Sequence, residues 1–167
     1  LGTLYSQVLA LSPRGQVRRE RYHESSNLVS DRIFEENTGR LAQISTGTNG
    51  GLQRWDYTYD KNGSLATRWD RTNGADSQEE FVYDDLDRLT TVKQIRTAGS
   101  ATPFAPPTLS LAYDQLGNIL SKTALGSYQY GSFQNTPCQD ASGPHAVSKI
   151  GAKIYCYDKN GNNTLVR

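Results

Sequence analysis

Methionine is missing from all 167 positions, the first included. Open reading frames start with Met, so the chain reads as a processed segment or an excised piece of a longer protein. Cysteine and tryptophan are scarce, at two each, and apolar residues reach only 35%. That share is low for a domain with a large core of its own. No long apolar run exists, so the residues hold neither a transmembrane helix nor a signal peptide. An excess of one charge is also lacking: the net charge is +1 and the basic residues are scattered. Nothing therefore favours a nucleic acid or a lipid surface as partner. Helical periodicity and metal-ligand spacing are absent too, so neither cofactor nor metal is expected.

Tyrosine, at ten residues, and glycine, at fifteen, are plentiful. The string YDKNG stands at Tyr59–Gly63 and again at Tyr157–Gly161. Related strings are YDDLDRL from Tyr83 and YDQLGNI from Tyr113. FEENTGRL from Phe34 and LSPRGQV from Leu11 are weaker copies. Starts at 11, 34, 59, 83, 113 and 157 give steps of 23, 25, 24, 30 and 44. The first steps mark a repeat, and the last two carry insertions. The repeats lie near 11–17, 34–41, 59–65, 83–89, 113–119 and 157–163, with inserted loops at about 98–107 and 134–145.

Each copy is preceded by apolar residues on alternate positions, such as Trp55, Tyr57 and Tyr59, or Phe81 and Tyr83. That period of two predicts a strand, and the alternation resumes after each glycine. A strand, D-x-x-G and another strand predict a β-hairpin. Asp60 opens the turn and accepts a backbone amide. Gly63 then takes the left-handed conformation of a bulge, and Tyr59 packs across the strand pair. The same roles fall to Asp84, Asp114 and Asp158, to Gly117 and Gly161, and to Tyr83, Tyr113 and Tyr157. Asp87 replaces the glycine in its copy, and Asp tolerates positive φ. The expected fold is all-β: consecutive antiparallel hairpins in a curved or spiralling sheet.

The ordered run YTYDKNGSLATRWDRTNGADSQEEFVYDDLDRLTTV, at 57–92, resembles the Rhs/YD-repeat family, as does GPHAVSKIGAKIYCYDKNGN at 143–162. That family includes bacterial Rhs polymorphic toxins, the C components of Tc insecticidal toxins, and teneurins. The resemblance implies a hollow β-shell of hairpins that encloses a C-terminal toxin domain, and a secreted or cell-surface setting. Its partners would be neighbouring repeats and the enclosed toxin. Stacked repeats cover apolar faces that single hairpins leave open. The family's autoproteolytic DPxGL-type motif is absent, so no self-cleavage is assigned, and no separate toxin sequence follows the last hairpin. An isolated piece of such a wall is expected to self-associate through open strand edges.

A second class of reading is a binding module for a cell-surface glycan or protein. Trp55 and Trp69 flank the Tyr59–Gly63 turn and are its candidate sugar platform; cross-strand packing is the plainer role. The repeated aspartates could be cast as calcium ligands, but they fall one to a hairpin and turn chemistry accounts for them. Cys138, His145 and Asp140 fall in one segment, yet a thiol nucleophile needs a positioned base and a group orienting it. Proximity in a loop supplies neither, so no catalytic residue is assigned. Cys138 and Cys156 fit one disulfide closing a loop of about 18 residues, worth roughly 3 kcal/mol, and equally two free thiols. His23 and the Arg18–Arg21 cluster, diluted by Glu20 and Glu24, read as a solvated strand face.

Overall fold

A computed structural model describes residues 5–23, 27–96, 109–131, 138 and 143–166. Fourteen strands are hydrogen-bonded in chain order, and their pairings among the described residues are antiparallel, an all-β fold. The chain divides into two compact units, Leu1–Val82 with Lys93–Pro107, and Tyr83–Val92 with Thr108–Arg167. The expected loop at 98–107 lies outside the described residues. So do positions 134–137 and 139–142 of the second one.

The first unit carries β1 (Ser6–Leu11), β2 (Val17–Tyr22), β3 (Val29–Phe34), β4 (Leu41–Thr46), β5 (Gln53–Tyr59), β6 (Leu65–Asp70) and most of β7 (Ser77–Tyr83). The second carries the start of β8 (Leu89–Arg96), then β9 (Leu109–Tyr113), β10 (Ile119–Lys122), β11 (Gly126–Tyr130), β12 (Val147–Ile150), β13 (Lys153–Tyr157) and β14 (Asn163–Val166). Strands of four to eight residues follow from the spacing of turn residues, because each D-x-x-G or Thr-Asn-Gly ends one strand and starts the next.

Register in the first unit fixes which side chains share a face. Trp55 pairs Asp70, Tyr57 pairs Arg68, and Arg68 pairs Glu79. Ile44 pairs Trp55, and Arg32 pairs Ile44. This face mixes rings with ion pairs: Arg68 meets Glu79 at 2.5 Å and lies 4.8 Å from the Trp55 ring centre, and Arg32 meets Glu20 at 3.3 Å. Asp56 and Trp69 pair on the opposite face.

Burial is sparse. Among the described residues only Ser30, Gly50, Ser148 and Cys156 are buried. From β1 to β6 and from β9 to β14, strands touch chiefly the strand before or after them. Side chains are thus half-covered by cross-strand neighbours, and no packed core forms among the described residues.

Candidate functional site: the hairpin latches

Each of the four turns led by Asp60, Asp84, Asp114 and Asp158 is closed by short bonds to that aspartate. In the Asp60 turn, the Gly63 amide donates to the Asp60 carbonyl at 3.1 Å, and the Asp60 amide donates to the Ser64 carbonyl at 2.9 Å. Asp60 Oδ1 accepts from the amides of Gly63 and Ser64, at 2.7 and 2.9 Å. Asp84 accepts from Leu86 and Arg88, Asp114 from Leu116 and Asn118, and Asp158 from Asn160 and Asn162, all at 2.8–3.0 Å. A single carboxylate thereby satisfies two amides that the turn takes off the ladder. The register slips by one residue before Tyr59 and before Tyr157, which marks the bulge. Gly63 has φ +96°, and Asp87, in the glycine's place, has φ +56°.

Hydrogen bonding holds three of these carboxyls below the ordinary carboxylate value. For Asp84 the chief cause is Arg88, whose Nε donates to it at 2.7 Å. For Asp158 it is the Asn162 side chain. At Asp114 desolvation pushes up, but bonds from Asn118, Leu116 and Gly117 together outweigh it.

The tyrosines act between hairpins. Tyr59 stands opposite Leu65 on its own strand pair, and its hydroxyl reaches further, donating to the Leu41 carbonyl at 2.8 Å on the last strand of the preceding hairpin. Tyr113 donates to Leu89 at 2.8 Å, Tyr130 to Ile119 at 3.0 Å and Tyr157 to Val147 at 2.9 Å. One register rule covers all four. The tyrosine stands three residues beyond a ladder pair, and its acceptor two residues before the partner: Gln43 with Asp56, Thr91 with Ser110, Ser121 with Ser127, Lys149 with Ile154. Past those pairs the ladder has ended, so the phenol supplies a donor that the backbone no longer can. Tyr83 stands at the equivalent position, three beyond Glu80, which pairs Thr67.

Arginines stack on this arrangement. Arg40 lies 5.4 Å from the Tyr59 ring centre and Arg88 lies 4.7 Å from that of Tyr113. Arg88 also donates to the Asp114 carbonyl at 3.0 Å and pairs with Asp84, so one side chain ties two successive turns. Further along, Asn118 meets His145 Nδ1 at 2.7 Å.

One joint departs from the pattern. Phe34 takes the tyrosine's place between the first two hairpins, three residues beyond Asp31, which pairs Arg19. It has no hydroxyl to offer Val17, and Gln16 stands where Arg40 stands one hairpin later. A cavity of about 490 Å³ opens there, lined by Arg14, Gln16, Arg18, Phe34 and Glu35 among others.

The two tryptophans do not form a shared platform. They sit at adjacent register positions on paired strands, and side chains alternate faces along a strand, so Trp55 and Trp69 point to opposite faces. The Trp69 indole donates to Asp76 at 2.6 Å, and Arg71 covers its ring at 3.8 Å. Arg68 lies over Trp55, whose indole is a lesser contributor, after Thr72, to the lowered Asp70 carboxyl.

Cys138 and Cys156 are joined by a disulfide with a Cα separation of 5.1 Å, and Cys156 is 4% exposed. Cys138 therefore presents no thiol to His145, and Asp140 lies outside the described residues. His23 has φ +65° and its amide donates to the Tyr5 carbonyl at 2.8 Å. Arg19 faces Asp31 at 3.5 Å.

Two features escaped sequence reasoning. Tyr130 makes the same bond as Tyr59 without a following Asp; its signal is the Y-x-Y-G string at 128–131. Thr-Asn-Gly occurs twice, at Thr48–Gly50 and Thr72–Gly74, each as a short 3-10 turn at the hairpins' other end. The Thr72 hydroxyl there accepts from the Arg54 amide at 2.9 Å. The 24-residue step between the copies was the available signal.

The teneurin YD-shell family model matches residues 20–137. Among solved structures, a chain in the crystal structure of TcdB2-TccC3-TEV is similar, with 15% identity and a TM-score of 0.43. The match covers 96% of this chain and 11% of that one. No curated protein matches the sequence.

Proposed function

The chain belongs to the teneurin YD-shell family, and from that premise we propose that it is a wall segment of a shell that encloses a toxin domain. Its work is mechanical: it holds hairpins in register and excludes solvent from a compartment. The observation that carries this reading is the repeated tyrosine bond from each hairpin to the one before it. Such bonds fasten hairpin to hairpin along the chain, as a wall requires. The scarcity of buried side chains among the described residues supports it too, because a wall takes its cover from neighbouring repeats and from what it encloses.

The family is structural, so the residues that matter most are those of the latch: the Asp–Gly turns, the tyrosine hydroxyls and the two ring-stacked arginines. The surroundings this implies are secreted or cell-surface, where the Cys138–Cys156 disulfide persists.

Limited proteolysis of the longer protein with its cargo tests the proposal. The cargo should resist cleavage while the wall is intact, and become cleavable when Tyr59, Tyr113 and Tyr157 are all changed to Phe. Cargo cleaved equally fast with either wall would overturn the enclosing role.

A further inference from the structure

We propose that Asn73 is a site of spontaneous deamidation, singled out by the fold from four Asn-Gly pairs. The pairs are Asn49-Gly50, Asn62-Gly63, Asn73-Gly74 and Asn160-Gly161. In all four the following residue lacks a side chain, so its backbone nitrogen can reach the asparagine amide. In this reaction the deprotonated nitrogen of the glycine attacks Cγ of the asparagine. A nitrogen–carbon bond forms, the bond from Cγ to the amide nitrogen breaks, and ammonia leaves with a proton from water. Water then opens the five-membered imide at either carbonyl, giving aspartate or isoaspartate. No electron transfer is involved, and water and hydroxide are the only co-reactants.

The attack requires a glycine nitrogen that is not already donating its hydrogen, and room for the ring. Gly63 donates to Asp60 twice, at 3.1 and 2.7 Å, and Gly161 donates to the Asp158 carbonyl at 3.0 Å. Gly50 donates to the Gly47 carbonyl at 3.3 Å and is buried, with Arg54 and Ser45 packed where a Cβ would stand. Gly74 differs from all three at its amide, and from Gly50 and Gly63 in the room around it, an openness it shares with Gly161. Its amide faces the Arg71 carbonyl in the 3-10 turn without a hydrogen bond of ordinary distance and angle; the well-formed bond is the next one, from Ala75 to Thr72 at 2.8 Å. Nothing lies within 4 Å of the position its Cβ would take. Asn73, Gly74 and Ala75 are all exposed.

The turn is pinned on either side of the reactive pair. The Thr72 amide donates to Asp70 at 2.8 Å, its hydroxyl accepts from Arg54, and Asp76 holds the Trp69 indole. Asn73 itself sits in the left-handed region, at φ 48° and ψ 41°, a conformation it must leave for the imide to close. Leaving it breaks no well-formed hydrogen bond at Gly74, whereas the other three pairs must first give one up. Conversion would place a new carboxylate in a turn that already holds Asp70 and Asp76. The isoaspartate form would also lengthen the main chain between β6 and β7.

The test is peptide mapping by mass spectrometry of the native chain held in mildly alkaline buffer, beside the same chain in urea. Exchange of NH3 for H2O identifies each converted asparagine. Methyl transfer from S-adenosylmethionine to the isoaspartyl carboxylate identifies the second product. In the native chain Asn73 should convert roughly two- to tenfold faster than Asn49, Asn62 or Asn160, the factor set by one hydrogen bond. In urea the four rates should converge, and Asn73→Gln should remove the fast phase of ammonia release. Another asparagine converting as fast as Asn73 in the native chain would overturn the proposal. So would an Asn73 that stays intact while the urea sample converts.

Discussion

Phe34 and Tyr59 occupy equivalent register positions and differ by one oxygen, which makes the first joint a test of what the tyrosine contributes. Tyr113→Phe removes the bond to Leu89 and should lower stability by about 0.5–1.5 kcal/mol, read as a shift in the urea midpoint. Phe34→Tyr should raise the midpoint by a similar amount, because its hydroxyl would meet the acceptor position that Val17 holds. If both substitutions leave the midpoint unchanged, the hydroxyl is bonded without fastening anything. The glycines give a second comparison. Gly63 and Gly117 have φ +96° and +89°, so alanine at either is strained by about 1–2 kcal/mol. Around Gly117 the space is open, whereas a Cβ on Gly63 would overlap the Arg40 guanidinium that stacks on Tyr59. Gly63→Ala should therefore cost more than Gly117→Ala by about 0.5–1 kcal/mol, the worth of the displaced cation–ring contact. Equal costs in matched melts would mean that Arg40 moves aside freely.

At the scale of the element, the hairpin turns tie stability to pH. Asp84, Asp114 and Asp158 have folded pKa values lowered below those of the unfolded chain. Their contribution is complete above the unfolded carboxylate pKa, about 4, and is lost as pH falls through the lowered values. The urea midpoint should be level from neutral pH to about 5 and then drop. Replacing these three aspartates with Asn should flatten the acid limb, and an equally steep limb in that variant would contradict the assignment. The turns were legible in the sequence because their chemistry is local: Asp60, Gly63 and the amides between them lie within five residues. The tyrosine bonds were not, because Tyr59 and Leu41 are 18 residues apart and only strand register brings them together. Register likewise decides that Trp55 and Trp69 face opposite ways, which a flanking position on the chain cannot reveal. Tyr130 lacks the local mark of the other copies, because Gly131 rather than Asp follows it. The cysteines are 18 apart, a spacing that suits a disulfide and free thiols alike until β13 and residue 138 are placed together.

At the scale of the molecule, the deciding fact is how little the described residues bury. Apolar side chains stay open among the described residues: Leu86 and Leu116 at the turn tips are 70% and 71% exposed, and Tyr5 is 82% exposed. Every residue of β1 is exposed, and its sequence SQVLAL carries no charge and no proline to discourage strand pairing. A segment built this way relies on its neighbours for cover. The most direct test is the solution mass of the 18.5 kDa chain, by light scattering after size exclusion over a range of concentrations. A wall segment without a core of its own should run as a dimer or larger species whose mass grows with concentration. A monomer of 18.5 kDa at every concentration would contradict the account, because the open faces and edges would then need no cover.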